Sequence, residues 1–128
     1  REDGWRFAHP GRTASVTSTG VAGGRFTVEA AEKVLRVSLG ERALLEIPAG
    51  AIVTGYARDR GGVRGVLGGS AGTVLVAVPD AAGHDEVELR FGGARTRVRP
   101  DARGLVELAF PGGGPVEFGV FAPARGER

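Results

Sequence analysis

Glycine and proline interrupt this chain roughly every eight to twelve residues, and short runs rich in β-branched and apolar side chains fill the intervals. Such spacing suits strands joined by tight turns and leaves little length for helices. Candidate strands fall at residues 12–19, 25–30, 34–39, 43–47, 52–57, 62–67, 73–78, 86–91, 95–99, 105–110 and 116–121. Turns rich in Gly, Pro or Asp separate them, at 20–24, 40–42, 48–50, 59–61, 68–72 and 79–83. Ten or eleven strands are more than one open sheet holds comfortably. The predicted fold is therefore all-β: a two-sheet antiparallel β-sandwich of about ten short strands, immunoglobulin-like in outline, in one domain spanning 1–128. Residues 1–11 read as an N-terminal arm and 122–128 as a polar tail.

One stretch also fixes a register. If 86–91 and 95–99 form a hairpin across Gly92–Gly93, Glu86 faces Arg99 and Glu88 faces Arg97 on one surface. Val87 then faces Val98, and Leu89 faces Thr96, on the other. Extending this meander across residues 100–104 sets Glu107 beside Arg97 and Val106 beside Val98. A further turn over 111–115 sets Phe118 beside Leu108 and Val120 beside Val106. The alternation leaves Leu105 and Phe121 on the charged, outward side. That corner is either covered by the 5–7 segment or is a contact patch for a partner. Residues 74–78 are apolar at every position, which predicts a central strand covered on both faces.

Another segment reads two ways. Residues 27–37 (TVEAAEKVLRV) carry Glu29–Lys33 and Glu32–Arg36 at helical spacing, so a short helix near 28–36 competes with a hairpin. Alternation over 34–39 and strand-like neighbours favour the hairpin.

Composition narrows the function classes. At 128 residues the chain can bury about 65–70% of its unfolded surface in one core. It has no cysteine, which excludes disulfides, thiolate metal sites and thiol nucleophiles. Seventeen basic and 15 acidic side chains leave a net charge of +2, too balanced for a strong field toward polyanions. Lys33 is the only lysine, and the Gly, Ala, Arg and Val excess matches high-GC coding, so an arginine is not a ligand merely by being present. No apolar run approaches the ~20 residues of a membrane-spanning helix, and no secretory leader pattern opens the chain. A start at Arg1 is expected of a processed product or of a domain of something longer.

Several motifs touch chemistry. Gly68-Gly69-Ser70-Ala71-Gly72 fits G-x-S-x-G, with Asp80 and His84 following. A nucleophile elbow needs a strand-to-helix turn, whereas strand-like residues follow at once, so a hydrolase using Ser70 is a minor alternative. Asp80, His84, Asp85 and Glu86 offer at most a weak cation loop, and His9 is far off in sequence; no metal or cofactor is assigned. Glu86, Glu88 and Glu107 face arginines in the register above, which argues against paired-carboxylate catalysis. The RGG within 58–65 near Tyr56, with Arg90, Arg95, Arg97, Arg99 and Arg103, supports a nucleic-acid-binding alternative, weakened by few aromatics and by neighbouring glutamates. A carbohydrate or cell-wall polymer would need an exposed aromatic platform from Trp5 or Tyr56.

Arg97-Val98-Arg99, Asp101-Ala102-Arg103-Gly104 and the residues at 105–108, 111–114 and 116–121 run strand, Asp-x-x-Gly turn, strand, Pro-x-Gly turn, strand. Residues 87–121 thereby resemble the second half of carboxypeptidase-regulatory-like, prealbumin-type β-sandwich domains. The resemblance implies a non-catalytic accessory module, of a kind often appended to extracytoplasmic or cell-surface proteins, and brings no functional residues. The expected function is non-enzymatic protein interaction or assembly. Leu105, Phe121, Trp5 and Tyr56 are the candidate surface, and a protein partner or a second copy is the expected occupant.

Overall fold

The computed structural model describes residues 5–8, 15–21, 24–30, 33–39, 42–79 and 86–122. They form twelve strands: β1 (Trp5–Ala8), β2 (Ser15–Val21), β3 (Gly24–Ala30), β4 (Val34–Leu39), β5 (Arg42–Pro48), β6 (Ala51–Arg58), β7 (Gly62–Gly69), β8 (Gly72–Ala77), β9 (Val87–Phe91), β10 (Ala94–Val98), β11 (Leu105–Phe110) and β12 (Gly113–Phe121). Two six-stranded antiparallel sheets result. Sheet A runs β1-β6-β7-β12-β9-β10, and sheet B runs β11-β8-β5-β4-β3-β2. The all-β two-sheet sandwich expected from the turn spacing is the fold, with one more edge strand, β1, inside the segment read as an arm.

Alternation explains the core. Sheet A turns Val53, Val63, Leu67, Val87, Phe118 and Val120 inward, while sheet B contributes Leu45, Ile47, Val74, Val76, Val106 and Leu108; all are buried. Each such side chain stabilises the fold by about 1.5–3 kcal/mol relative to its exposed state. Short links carry the chain between sheets at 49–50, 70–71 and 111–112. Two of these links are tied together by the Ser70 N–H, which donates to the Gly50 carbonyl at 3.0 Å.

The ambiguous segment is a hairpin, and no helix occurs among the described residues. Position 29 lies opposite Arg36 across β3 and β4, so these positions are neighbours across strands and not along a helix. The β9–β10 hairpin has the expected register: Glu88 lies opposite Arg97, Val87 opposite Val98 and Leu89 opposite Thr96. Gly92 (φ 59) and Gly93 (φ 90) form the two-residue loop with positive φ at both positions that such a tight hairpin requires.

Beyond that hairpin the simple meander is wrong. β11 leaves sheet A and pairs with β8, setting Val106 opposite Val76 and Glu107 opposite Leu75 rather than beside Val98 and Arg97. β12 returns to sheet A between β7 and β9, setting Phe118 opposite Gly65 and Phe91, and Val120 opposite Val63 and Leu89. The cause lies in the two candidate neighbours of β11. β8 is apolar on both sides and needs a second partner, whereas β10 presents Arg95, Thr96 and Arg97 to water. Asp101 shapes the crossover: its Oδ1 accepts from the N–H groups of Arg103 at 2.8 Å and Leu105 at 3.0 Å. The Gly104 carbonyl accepts from Val78 N–H at 2.9 Å, which docks the turn onto the end of β8.

Three burial expectations change with this topology. Leu105 shares the side of Glu107 but is only 2% exposed, opposite buried Ala77. Its cover is not the 5–7 segment, since β1 pairs with β6 at the far edge of sheet A. β8 is an interior strand but is not covered on both faces: Leu75 remains half-buried, with Glu46 and Glu107 opposite it.

Tyr56 is the third case, at 1% exposure. Strict alternation from Ile52 would point it outward. Gly55, at φ 63, makes a bulge where the β6–β7 register shifts between Thr54 and Ala57, and the following side chain turns into the core. Burial raises the Tyr56 pKa, opposed by the positive charge of nearby Arg58. Arg58 also spans the sandwich, donating to the carbonyls of Ala77 at 3.2 Å and Val78 at 2.6 Å. Arg42 reaches the same Val78 carbonyl at 3.3 Å. The first arginine of the RGG segment is thus a structural tie between sheets.

Candidate functional site

The outer face of sheet A is built by the positions of β7, β12, β9 and β10 that alternate with the core residues. Gly119 lies opposite Arg64 on one side and Arg90 on the other, and Arg90 lies opposite Arg95. Three guanidinium-bearing residues therefore occupy one row across four strands, with a glycine gap in the middle. The next row carries Gly62, Phe121, Glu88 and Arg97. A cleft of about 410 Å³ opens here, bordered by Arg64, Arg90, Arg95, Glu117, Gly119 and Phe121.

Each member is positioned for a physical reason. A Cβ on Gly119 would collide with the Phe121 ring, so glycine is what lets that ring lie flat on the sheet. Arg90 stacks over the same ring, its Cζ 4.5 Å from the centroid. The Arg90 Nε donates to Glu88 Oε2 at 2.8 Å. Ring and carboxylate together fix the guanidinium on one face and one edge, which limits the rotamer freedom it has left to lose on binding. Arg95 approaches the same Glu88 oxygen at 3.8 Å, and Arg97 turns diagonally to Glu86 at 3.8 Å. The ion pairs thus follow diagonals within reach of long side chains, although Glu88 and Arg97 are the directly opposed residues. The hydrogen bond from Arg90, then the charges of Arg90, Arg95 and Arg97, hold the Glu88 carboxyl below its ordinary pKa.

Of the four expected surface residues, Phe121 is half-buried on this face, and Leu105 and Tyr56 are interior. The Trp5 side chain lies outside the described residues. Burial of Tyr56 removes it as a stacking platform for a sugar or a base. Ser70 is exposed in a link between two strands, with no helix after it. Asp80, His84, Asp85 and His9 fall outside the described residues; among those described, no group of three or more His, Cys, Asp or Glu could hold a metal ion. Among the described residues no helix is long and apolar enough to cross a membrane. Sequence reasoning missed Arg64 and Gly119, because only the insertion of β12 between β7 and β9 aligns them with Arg90. No protein-family model, curated protein or solved structure matches the chain.

Proposed function

We propose that this domain is a non-enzymatic interaction module that recognises an acidic segment of a protein partner on the outer face of sheet A. The observation that carries the reading is the row Arg64–Gly119–Arg90–Arg95 bordering an open cleft, with Arg90 pre-set by Glu88 and Phe121. Guanidinium groups match carboxylates in charge and in planar, bidentate geometry. Glu86, Glu88 and Glu117 share the face and break the positive field into discrete spots. That pattern favours a segment with spaced carboxylates over a continuous phosphate backbone. Phe121 already carries Arg90 on one side and the glycine floor on the other, which leaves it no face for stacking a base. The likeness of residues 87–121 to an accessory β-sandwich supports the same non-catalytic role.

The test is a fluorescence-anisotropy titration with a labelled glutamate-rich peptide in low-salt buffer. Wild-type protein binds it and releases it as salt rises. The Arg64→Glu/Arg95→Glu double variant, altered only at exposed side chains, loses about tenfold or more in affinity. Equal binding by the double variant, no binding by wild type, or tighter binding to an oligonucleotide of matched charge would overturn the reading.

A further inference from the structure

β10 is the outermost strand of sheet A, and water reaches both of its faces: Ala94, Arg95, Thr96 and Arg97 are all exposed. Its side toward β9 is paired along its whole length. Phe91 and Ala94 close the two-residue loop, so Ala94, Thr96 and Val98 exchange hydrogen bonds with β9. The Gly92 N–H, donating to the Glu117 carbonyl at 3.1 Å, shows the complementary alternation, with even-numbered positions of β9 facing β12. The N–H and C=O groups of Arg95 and Arg97 consequently point away from β9, to an edge that no other described strand pairs. The same two residues aim their side chains onto the arginine-bearing outer face. On the opposite face, Leu89, Phe91 and Val98 are half-buried and pack only in part against the core.

From these features we infer that β10 is the docking edge for the acidic partner proposed above, which adds to sheet A as a seventh, extended strand with carboxylates alternating with apolar side chains. This inference rests on that functional reading and places the partner's extended strand at the β10 end of the same face, beside Arg95 and Arg97, with Arg64 on β7 left to the rest of the acidic segment. Opposite Arg95 and Arg97 the added strand places its carboxylates; opposite Thr96 it places an apolar residue that extends over Val98. β9 already shows the pattern that β10 accepts, since Glu86, Val87, Glu88 and Leu89 alternate in that way on the paired side. A second copy of the chain does not fit. Antiparallel pairing of two β10 strands with their outer faces together sets arginine against arginine in every register that uses positions 95 and 97, and like charges directly opposed are destabilising.

The experiment compares three probes by isothermal titration: a short capped peptide of alternating glutamate and valine, the same composition with the glutamates in one block, and the alternating peptide N-methylated at the amides that face β10. The alternating peptide binds, and each control is weaker by about tenfold, the loss expected when edge hydrogen bonds or the alternation are removed. In the protein, Arg97→Pro removes an edge donor without breaking a bond to β9 and costs the alternating peptide more than the charge-matched Arg97→Gln. Amide protection at Thr96 and Leu89 reports whether the proline variant keeps its hairpin. If all three peptides bind alike while Arg64→Glu/Arg95→Glu still abolishes binding, strand addition is refuted and acidic recognition stands. If none binds, the functional reading itself fails.

Discussion

Replacing Asp101 by alanine tests the crossover that sends β11 to sheet B. The side chain closes the turn through Oδ1, accepting from Arg103 N–H at 2.8 Å and Leu105 N–H at 3.0 Å. Hydrogen bonds to a charged acceptor contribute about 1.5–3 kcal/mol when shielded from water. The two bonds here are not equal. Arg103 is exposed, so water replaces the acceptor there at little cost, and the 3.9 Å contact between the Arg103 and Asp101 side chains is a surface pair contributing almost nothing. The Leu105 N–H leads into a side chain only 2% exposed and is poorly placed for a substitute water. Asp101→Ala is therefore expected to destabilise the domain by about 1–2 kcal/mol, a fall in Tm of roughly 4–8 °C.

The pH dependence sharpens the test. Backbone donation, from Leu105 first and then Arg103, holds the Asp101 pKa below its ordinary value of 3.8. A depressed folded-state value means that the stabilisation is present above the unfolded pKa and disappears as pH falls through the folded one. Urea denaturation midpoints of wild type and variant should differ at neutral pH and converge in acid, below about 3.8. A variant as stable as wild type at neutral pH, or a gap that persists in acid, would refute the role given to this carboxylate.

Two further perturbations follow from the packing. Gly119→Ala pushes the Phe121 ring off its glycine floor and is expected to remove the ring contact of Arg90 at a cost of about 1 kcal/mol, read as loss of the ring-current shift on the Arg90 side chain; an unchanged shift would count against the geometry of the row. Gly55→Val forces a β-branched residue to positive φ and should destabilise the domain by about 1–3 kcal/mol, with Tyr56 fluorescence moving to that of a solvated phenol; unchanged stability would mean that the bulge is not what turns Tyr56 inward.

Those same residues mark where the sequence was legible. The β9–β10 hairpin could be read to the residue because a two-residue Gly-Gly loop allows one register, and both faces agreed on it: glutamate against arginine, valine against valine. The hairpin of β3 and β4 was favoured over a short helix by the alternation at 34–39 and by strand-like neighbours, without a register. β11 was misplaced because alternation reports which side chains face the core and not which sheet supplies the neighbour. Val106 finds a valine opposite it whether that is Val98 or Val76, and a five-residue turn reaches either sheet. The deciding signal was present in β8, whose apolar run at 74–78 demanded a second neighbour that β10 did not need. Tyr56 stood among the candidate surface residues as one of the few aromatics able to form a platform, and period-two counting through Gly55 would not have moved it inward; an isolated glycine inside a strand pattern is the warning of a bulge. The arginine row could not be assembled from the chain order at all. Its members come from β7, β9 and β10, and they align only through the Gly119 position of β12.

The account depends most on β10 being a true edge, with β11 paired elsewhere. Residue-resolved amide hydrogen exchange on the free protein measures this directly. The account predicts slow exchange at Thr96 and Val98, fast exchange at Arg95 and Arg97, and slow exchange along the β8–β11 ladder. Protected amides at Arg95 and Arg97 in the absence of any partner, with cross-strand proximity between Val98 and Val106, would mean that β11 completes sheet A and that the docking edge does not exist.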